Sequence, residues 1–177
     1  MGSLLIDRRA ALIGVSASAT QILIFLNRGQ AQAGAADDGW RRFVGEKFGT
    51  TIEYPPGFEA MPEPDAHDGV TFVARDGARI LAYASFNIEE QSLDDFAVSS
   101  LHGDDYARVT YRARGKDFLV VSGLRDIEGR ESVFYKRYYM APDRKTIHAV
   151  AITYPLELKA TYDPLVKRIA GSLRQMR

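Results

Sequence analysis

The sequence predicts an α+β domain in which an antiparallel β-sheet packs two main helices on one face, preceded by a signal-peptide helix. Two segments place their apolar residues at helical spacing, and most of the remainder after Trp40 alternates strand-like runs with turn residues. The connections between the later strands are too short for a parallel crossover. A chain of 177 residues has the length of one domain. We therefore assign residues 1–33 to a signal peptide, 34–39 to a linker and 40–177 to a single domain.

The first segment has the three parts of an export signal. Arg8 and Arg9 precede a mostly apolar stretch at 10–26, and Ala31 and Ala33 form a small-x-small cleavage site. We expect cleavage after Ala33, with cleavage two residues later as the alternative. The mature protein is then periplasmic or secreted, and it meets a membrane only if the signal stays uncleaved.

The two arginines resemble the twin-arginine export motif. Leu12 fits that pattern, whereas Asp7 and Ala11 depart from it. Arg28 supports this route over the general secretory one, because it places a positive charge just before the cleavage site.

The first strands follow from β-branched and aromatic runs. Residues 50–54 form one run, which Pro55 ends. Runs at 70–74 and 79–86 flank Asp76-Gly77, a pair that favours a tight hairpin turn.

Two segments are predicted to be helical. Ser92 and Asp95 form a capping box that opens the first helix, which we expect to end near Gly103. Asp163 and Pro164 predict the start of the second helix. Between these helices the alternation predicts four strands, at 107–114, 118–122, 132–140 and 146–154.

Several short motifs carry a resemblance to a known family. Phe48-Gly49, Tyr54-Pro55 and Gly57-Phe58 open the domain, and Ser172-Leu173-Arg174 closes its last helix. Together they resemble the PsbP-like superfamily over residues 40–175. The resemblance implies a PsbP-like α/β/α sandwich, usually an accessory or binding protein at membranes without enzymatic activity. It brings no catalytic residue with it.

Composition excludes several classes of function. Lys and Arg total 23, as do Asp and Glu, so the basic excess of a nucleic-acid binder is missing. The sequence contains no cysteine, which removes disulfides and thiolate chemistry. It also has no serine-nucleophile elbow and no glycine-rich phosphate motif, so we identify no catalytic residue and no cofactor.

A loop and a sheet face hold the remaining site candidates. Asp65, His67 and Asp68 place oxygen and imidazole groups together, which suits a divalent metal, although an ordinary polar surface loop is the favoured explanation. For the sheet face we expect polar, basic and aromatic side chains. They form either an ordinary solvent-facing surface with Tyr–Arg stacking between strands, which is favoured, or a face that contacts a partner or ligand. Its predicted members are Arg112, Tyr135, Arg137 and Tyr139.

His148 alternates with apolar residues, so we expect it at the edge of the core and not in catalysis. The function expected overall is an exported, non-enzymatic accessory or binding domain. Its partner is an exported or membrane-associated protein or a small anionic ligand. A small periplasmic hydrolase and a divalent-metal-binding protein are the alternatives.

Overall fold

The computed structural model describes residues 38–101 and 108–176. The predicted signal peptide, with Arg8, Arg9, Ala31 and Ala33, lies outside these residues. Asp38 falls within the predicted linker, yet it forms an ion pair with Arg168 of the C-terminal helix. Within the described ranges, no helix combines the length and apolar character needed to cross a membrane.

Ten strands and two α-helices make up this part of the chain. The predicted cap of the first helix is confirmed, since the Ser92 hydroxyl accepts a hydrogen bond from the Asp95 amide at 3.2 Å. The elements in chain order are β1 (Arg41–Val44), β2 (Thr50–Tyr54), β3 (Phe58–Ala60), β4 (Gly69–Ala74), β5 (Arg79–Phe86), α1 (Leu93–Leu101), β6 (Arg108–Arg114), β7 (Phe118–Ile127), β8 (Arg130–Met140), β9 (Thr146–Pro155), α2 (Lys159–Gly171) and β10 (Arg174–Gln175).

The strands form two antiparallel sheets. The large sheet has the order β3-β4-β5-β9-β8-β7-β6, and the small one has the order β1-β2-β10. The predicted Asp76-Gly77 hairpin joins β4 to β5, and Gly77 adopts a φ of +93°, which favours glycine. Short connections of this kind account for the antiparallel pairing.

The two helices pack on opposite faces of the large sheet, so the prediction that they share one face is wrong. On one side, Val166 and Ile169 of α2 pack against Ile80 and Ile152. On the other side, Leu93 and Ala97 of α1 pack with Phe134, Tyr138, Val121 and Ala149. The strands bury residues on both faces, so the apolar pattern required helices on both sides. This arrangement agrees with the sandwich that the PsbP-like resemblance implies. We call the two sides the α2 face and the α1 face.

Helix α2 begins earlier than predicted. Its first residue is Lys159, after a short 3-10 turn at Leu156–Leu158, and Pro164 lies inside the helix. Asp163 therefore does not cap the helix. Instead its carboxylate accepts a hydrogen bond from the Tyr154 hydroxyl at 2.8 Å and pairs with Lys159.

A β-bulge interrupts the alternation of side chains along β6. Val109 lies opposite Gly123 and Tyr111 opposite Ser122, so Thr110 is the extra residue. Gly123 permits this close approach, because a Cβ there would lie 2.0 Å from the Arg108 carbonyl oxygen. Since a one-residue slip reverses the facing of every later side chain, the bulge changes which residues share a face.

Candidate functional site

The candidate site is a cleft of about 410 Å³ on the α2 face, between α2 and strands β6 to β8. Its volume falls in the range of roughly 300–1,000 Å³ that is typical of small-molecule sites. The side chains that the argument uses are Thr110, Tyr111, Leu124, Val133, Tyr135, Tyr154, Lys159, Asp163, Val166 and Lys167.

Apolar side chains make the inner part of the cleft. Val133 of β8 and Val166 of α2 are both buried, at 5% exposure each, and they belong to the core on the α2 face. Leu124 of β7 packs against the same core. The cleft therefore reaches the hydrophobic core and offers an apolar surface to the body of a ligand.

Helix α2 supplies the charged wall. Lys159 pairs with Asp163, and the Tyr154 hydroxyl donates to the same carboxylate. Burial by itself would raise the pKa of Asp163, but the hydrogen bonds from Lys159 and Tyr154 outweigh it and lower that pKa. Burial and the hydrogen bond to Asp163 raise the pKa of Tyr154. The Asp163 carboxylate is therefore ionised, and the Lys159 ammonium neutralises its charge.

A second lysine of α2, Lys167, has no ion-pair partner among the described residues. Lys167 lies two turns after Lys159 on the same side of the helix and is exposed. It forms no ion pair and no hydrogen bond within the part of the chain that the structure describes. Counting the described residues, the α2 wall therefore carries one positive charge that no carboxylate pairs with.

The sheet supplies two phenols on the opposite wall. Tyr111 of β6 is 54% exposed, and Tyr135 of β8 is partly buried. Both lie on the α2 face, because Ser122 stands opposite each of them on β7. Burial, and to a lesser extent the nearby Tyr111, raise the pKa of Tyr135, whereas Arg137 lowers it. Neither hydroxyl bonds another described residue, so both are available to a ligand.

The structure places the four residues of the predicted partner face in different surroundings. Tyr135 lines the cleft, whereas Arg137 and Tyr139 follow it along β8 on the same face. Arg137 lies over the Phe118 ring, with its guanidinium carbon 4.2 Å from the ring centroid. Its Nε is buried without a hydrogen-bond partner among the described residues, and burial lowers its pKa.

Arg112 does not belong with these residues. It stands opposite Val121, which stands opposite Lys136, so Arg112 projects on the α1 face. The bulge at Thr110 is the reason, since it reverses the alternation between Arg108 and Arg112. The prediction that Arg112 shares a face with Tyr135, Arg137 and Tyr139 is therefore wrong.

The predicted metal-binding residues lie in the loop between β3 and β4. His67 is exposed and contacts the Glu63 carboxylate through Nδ1 at 3.3 Å. Asp68 lines a separate recess, which Lys136 also lines. Over residues 38–101 and 108–176, no three His, Asp or Glu side chains, Asp65 included, come together as a set of metal ligands.

His148 was predicted at the edge of the core, and the structure buries it completely. The Thr50 hydroxyl lies 2.9 Å from its Nδ1, and the Thr146 hydroxyl lies 3.3 Å from its Nε2. Burial lowers the pKa of His148 to about 4, so the imidazole is neutral at neutral pH. Its polar contacts are threonines from β2 and β9, and it joins the small sheet to the large one.

Sequence reasoning missed the α2 side of the cleft. Asp163 was interpreted as the start of the second helix, and no sequence pattern indicated Lys159 or Lys167 as binding residues. The position of α2 over β6 to β8 depends on contacts between residues far apart in sequence. The one available signal was the alternation that places Tyr135 beside Val133 on one face of β8.

Comparison with solved structures shows the fold. The chain is similar to cyanobacterial PsbP (CyanoP) from Synechocystis sp. PCC 6803, with a TM-score of 0.57 and 16% identity over 81% of this chain and 96% of that one. It is also similar to the Saccharomyces cerevisiae Ran-binding protein Mog1p, with a TM-score of 0.57 and 13% identity over 77% and 95% of the two chains.

A third similar structure is LpqN of Mycobacterium tuberculosis, a protein involved in cell envelope biogenesis. The TM-score is 0.53 and the identity 14%, over 80% of this chain and 94% of that one. No protein-family model matches the chain, and neither does any curated protein. The structural similarity supports a PsbP-like α+β fold. At identities this low it does not indicate an activity or a partner for this chain.

Proposed function

We propose that this protein is an exported, non-enzymatic binding domain whose cleft on the α2 face holds a small anionic ligand. One observation carries the proposal: a single concave site contains a lysine without an ion-pair partner among the described residues, two phenols that bond no other described residue, and an apolar floor. These residues are Lys167, Tyr111 and Tyr135, and, for the floor, Leu124, Val133 and Val166. Ligand sites are mostly apolar, with a few polar groups that set orientation. The export part rests on Arg8, Arg9 and the Ala31-Gln32-Ala33 cleavage site.

None of the described residues that line the cleft favours the hydrolase alternative. Nucleophilic hydrolysis needs a histidine within hydrogen-bond reach of a serine and a carboxylate. The buried His148 contacts two threonine hydroxyls, and the exposed His67 contacts Glu63. The metal alternative is not favoured either, because His67 and Asp68 face different surroundings.

The proposal can be tested with 8-anilinonaphthalene-1-sulfonate, an amphipathic monoanion whose fluorescence rises on binding apolar surface. Thr110 lines the cleft at the bulge, so Thr110→Trp should fill the cleft and abolish saturable binding. Arg112→Trp adds the same ring to the same strand on the α1 face and is the matched control. Equal binding by wild type and Thr110→Trp would show that the cleft is not the site.

A further inference from the structure

The charges lining the cleft define the charge of its ligand. Three charged side chains line it, namely Lys159, Asp163 and Lys167. Lys159 and Asp163 pair with each other, so one positive charge remains, at Lys167. A singly charged anion is neutralised there, whereas the second charge of a dianion would meet the Asp163 carboxylate without a free cation.

The hydrogen-bond donors define the charged group. Tyr111 and Tyr135 each present a phenol hydroxyl, which can donate a hydrogen bond to an anionic oxygen. Together with the Lys167 ammonium, the two phenols provide three hydrogen-bond donor groups, one from the helix side of the cleft and two from the sheet side. A carboxylate has two oxygens that can accept from both walls at once, and hydrogen bonds to a charged acceptor are the stronger kind.

The apolar side chains of the cleft indicate the chemistry of the rest of the ligand. Leu124, Val133 and Val166 present hydrocarbon to the cleft, and none of them can satisfy a polar group. Burying an unpaired polar group against such a floor costs free energy, whereas burying hydrocarbon is favourable. The body of the ligand is therefore apolar.

We infer that the cleft binds an amphipathic monocarboxylic acid, whose carboxylate is held by Lys167, Tyr111 and Tyr135 and whose apolar body rests on Leu124, Val133 and Val166. The inference rests on the proposed function and specifies the ligand class of the same site. In this assignment the polar side chains recognise the carboxylate of the ligand, and the apolar side chains bind its hydrocarbon part.

Three compounds with the same eight-carbon chain test it by calorimetric titration of the full-length protein: octanoate, octyl phosphate and 1-octanol. At pH 7.5 the octyl phosphate is close to a dianion. We expect octanoate to bind most tightly. Lys167→Gln should weaken octanoate about tenfold or more, as expected for a lost charge-assisted hydrogen bond, and leave 1-octanol unchanged. Lys145→Gln, which removes an exposed lysine outside the cleft, should change neither compound.

The phenols are tested by removing only their hydroxyls. Tyr135→Phe and Tyr111→Phe keep the rings, so each should weaken octanoate severalfold and leave 1-octanol unchanged. Tighter binding of octyl phosphate, or equal binding of octanoate and 1-octanol, would overturn the inferred head group. If none of the three compounds binds while Thr110→Trp still abolishes the naphthalenesulfonate signal, the ligand class is wrong and the proposed function stands. If Thr110→Trp has no effect on that signal, the proposed function itself fails.

Discussion

Replacing the buried histidine should remove a specific dependence of stability on pH. Burial lowers the pKa of His148 to about 4 from 6.5, and nearby Asp143 opposes this shift only in part. The unfolded chain therefore binds the proton more readily than the folded one. The free energy of unfolding falls as the pH drops below about 6.5, and this loss is complete below about pH 4.

The magnitude follows from the two pKa values. Each pH unit between them costs about 1.4 kcal/mol, so lowering the pH from 6.5 to 5 should remove about 2 kcal/mol through His148 alone. The carboxylates with lowered pKa, such as Glu53 and Asp163, lose their stabilising effect mainly below this window. The range from pH 7.5 to pH 5 therefore separates the contribution of His148 from that of these carboxylates.

Urea unfolding at several pH values measures the effect. His148→Gln keeps an amide that can bond Thr50 but cannot take up a proton in this range, so its free energy of unfolding should change little between pH 7.5 and pH 5. His67→Gln removes an exposed histidine instead of the buried one and is the matched control. A His148→Gln variant with the full wild-type slope would refute the reasoning, whatever its absolute stability.

Three further predictions concern export, the bulge and metals. Replacing Arg8 and Arg9 together by Lys should block export, measured as loss of the mature protein from the periplasmic fraction; unchanged export would exclude the twin-arginine route. Gly123→Ala should lower the free energy of unfolding by about 1–3 kcal/mol in urea, because its Cβ would overlap the Arg108 carbonyl; an unchanged value would contradict the close approach at the bulge. Divalent ions should leave the melting temperature of wild type and of His67→Ala the same, and a shift that only wild type shows would revive the metal-binding alternative.

Local patterns in the sequence were sufficient for many elements of the fold. The Asp76-Gly77 turn, the Ser92 cap and the strands at 50–54 and 79–86 all occur where they were predicted. Each depends on residues close together in the chain, through turn geometry, capping hydrogen bonds or alternation. His148 was also predicted at the edge of the core, since alternation alone placed it among apolar neighbours.

The candidate site was predicted only in part, because its two walls come from distant segments. Tyr135 was identified from the aromatic character of β8. Lys159, Asp163 and Lys167 were not, because their relation to β8 depends on how α2 packs on the sheet. Arg112 was misplaced for a different reason: the bulge at Thr110 depends on Gly123, which lies in the neighbouring strand.

The sequence by itself determined the α+β class, the antiparallel pairing of neighbouring strands and the set of aromatic and basic residues available for binding. The export signal stays a prediction. The tertiary structure decided that the helices lie on opposite faces, that Arg112 projects away from Tyr135, and that Lys167 stands across a cleft from two phenols. The physical reason is the range of the interactions. Turns, caps and alternation act over a few residues, whereas helix packing and a bulge against a neighbouring strand need the folded chain.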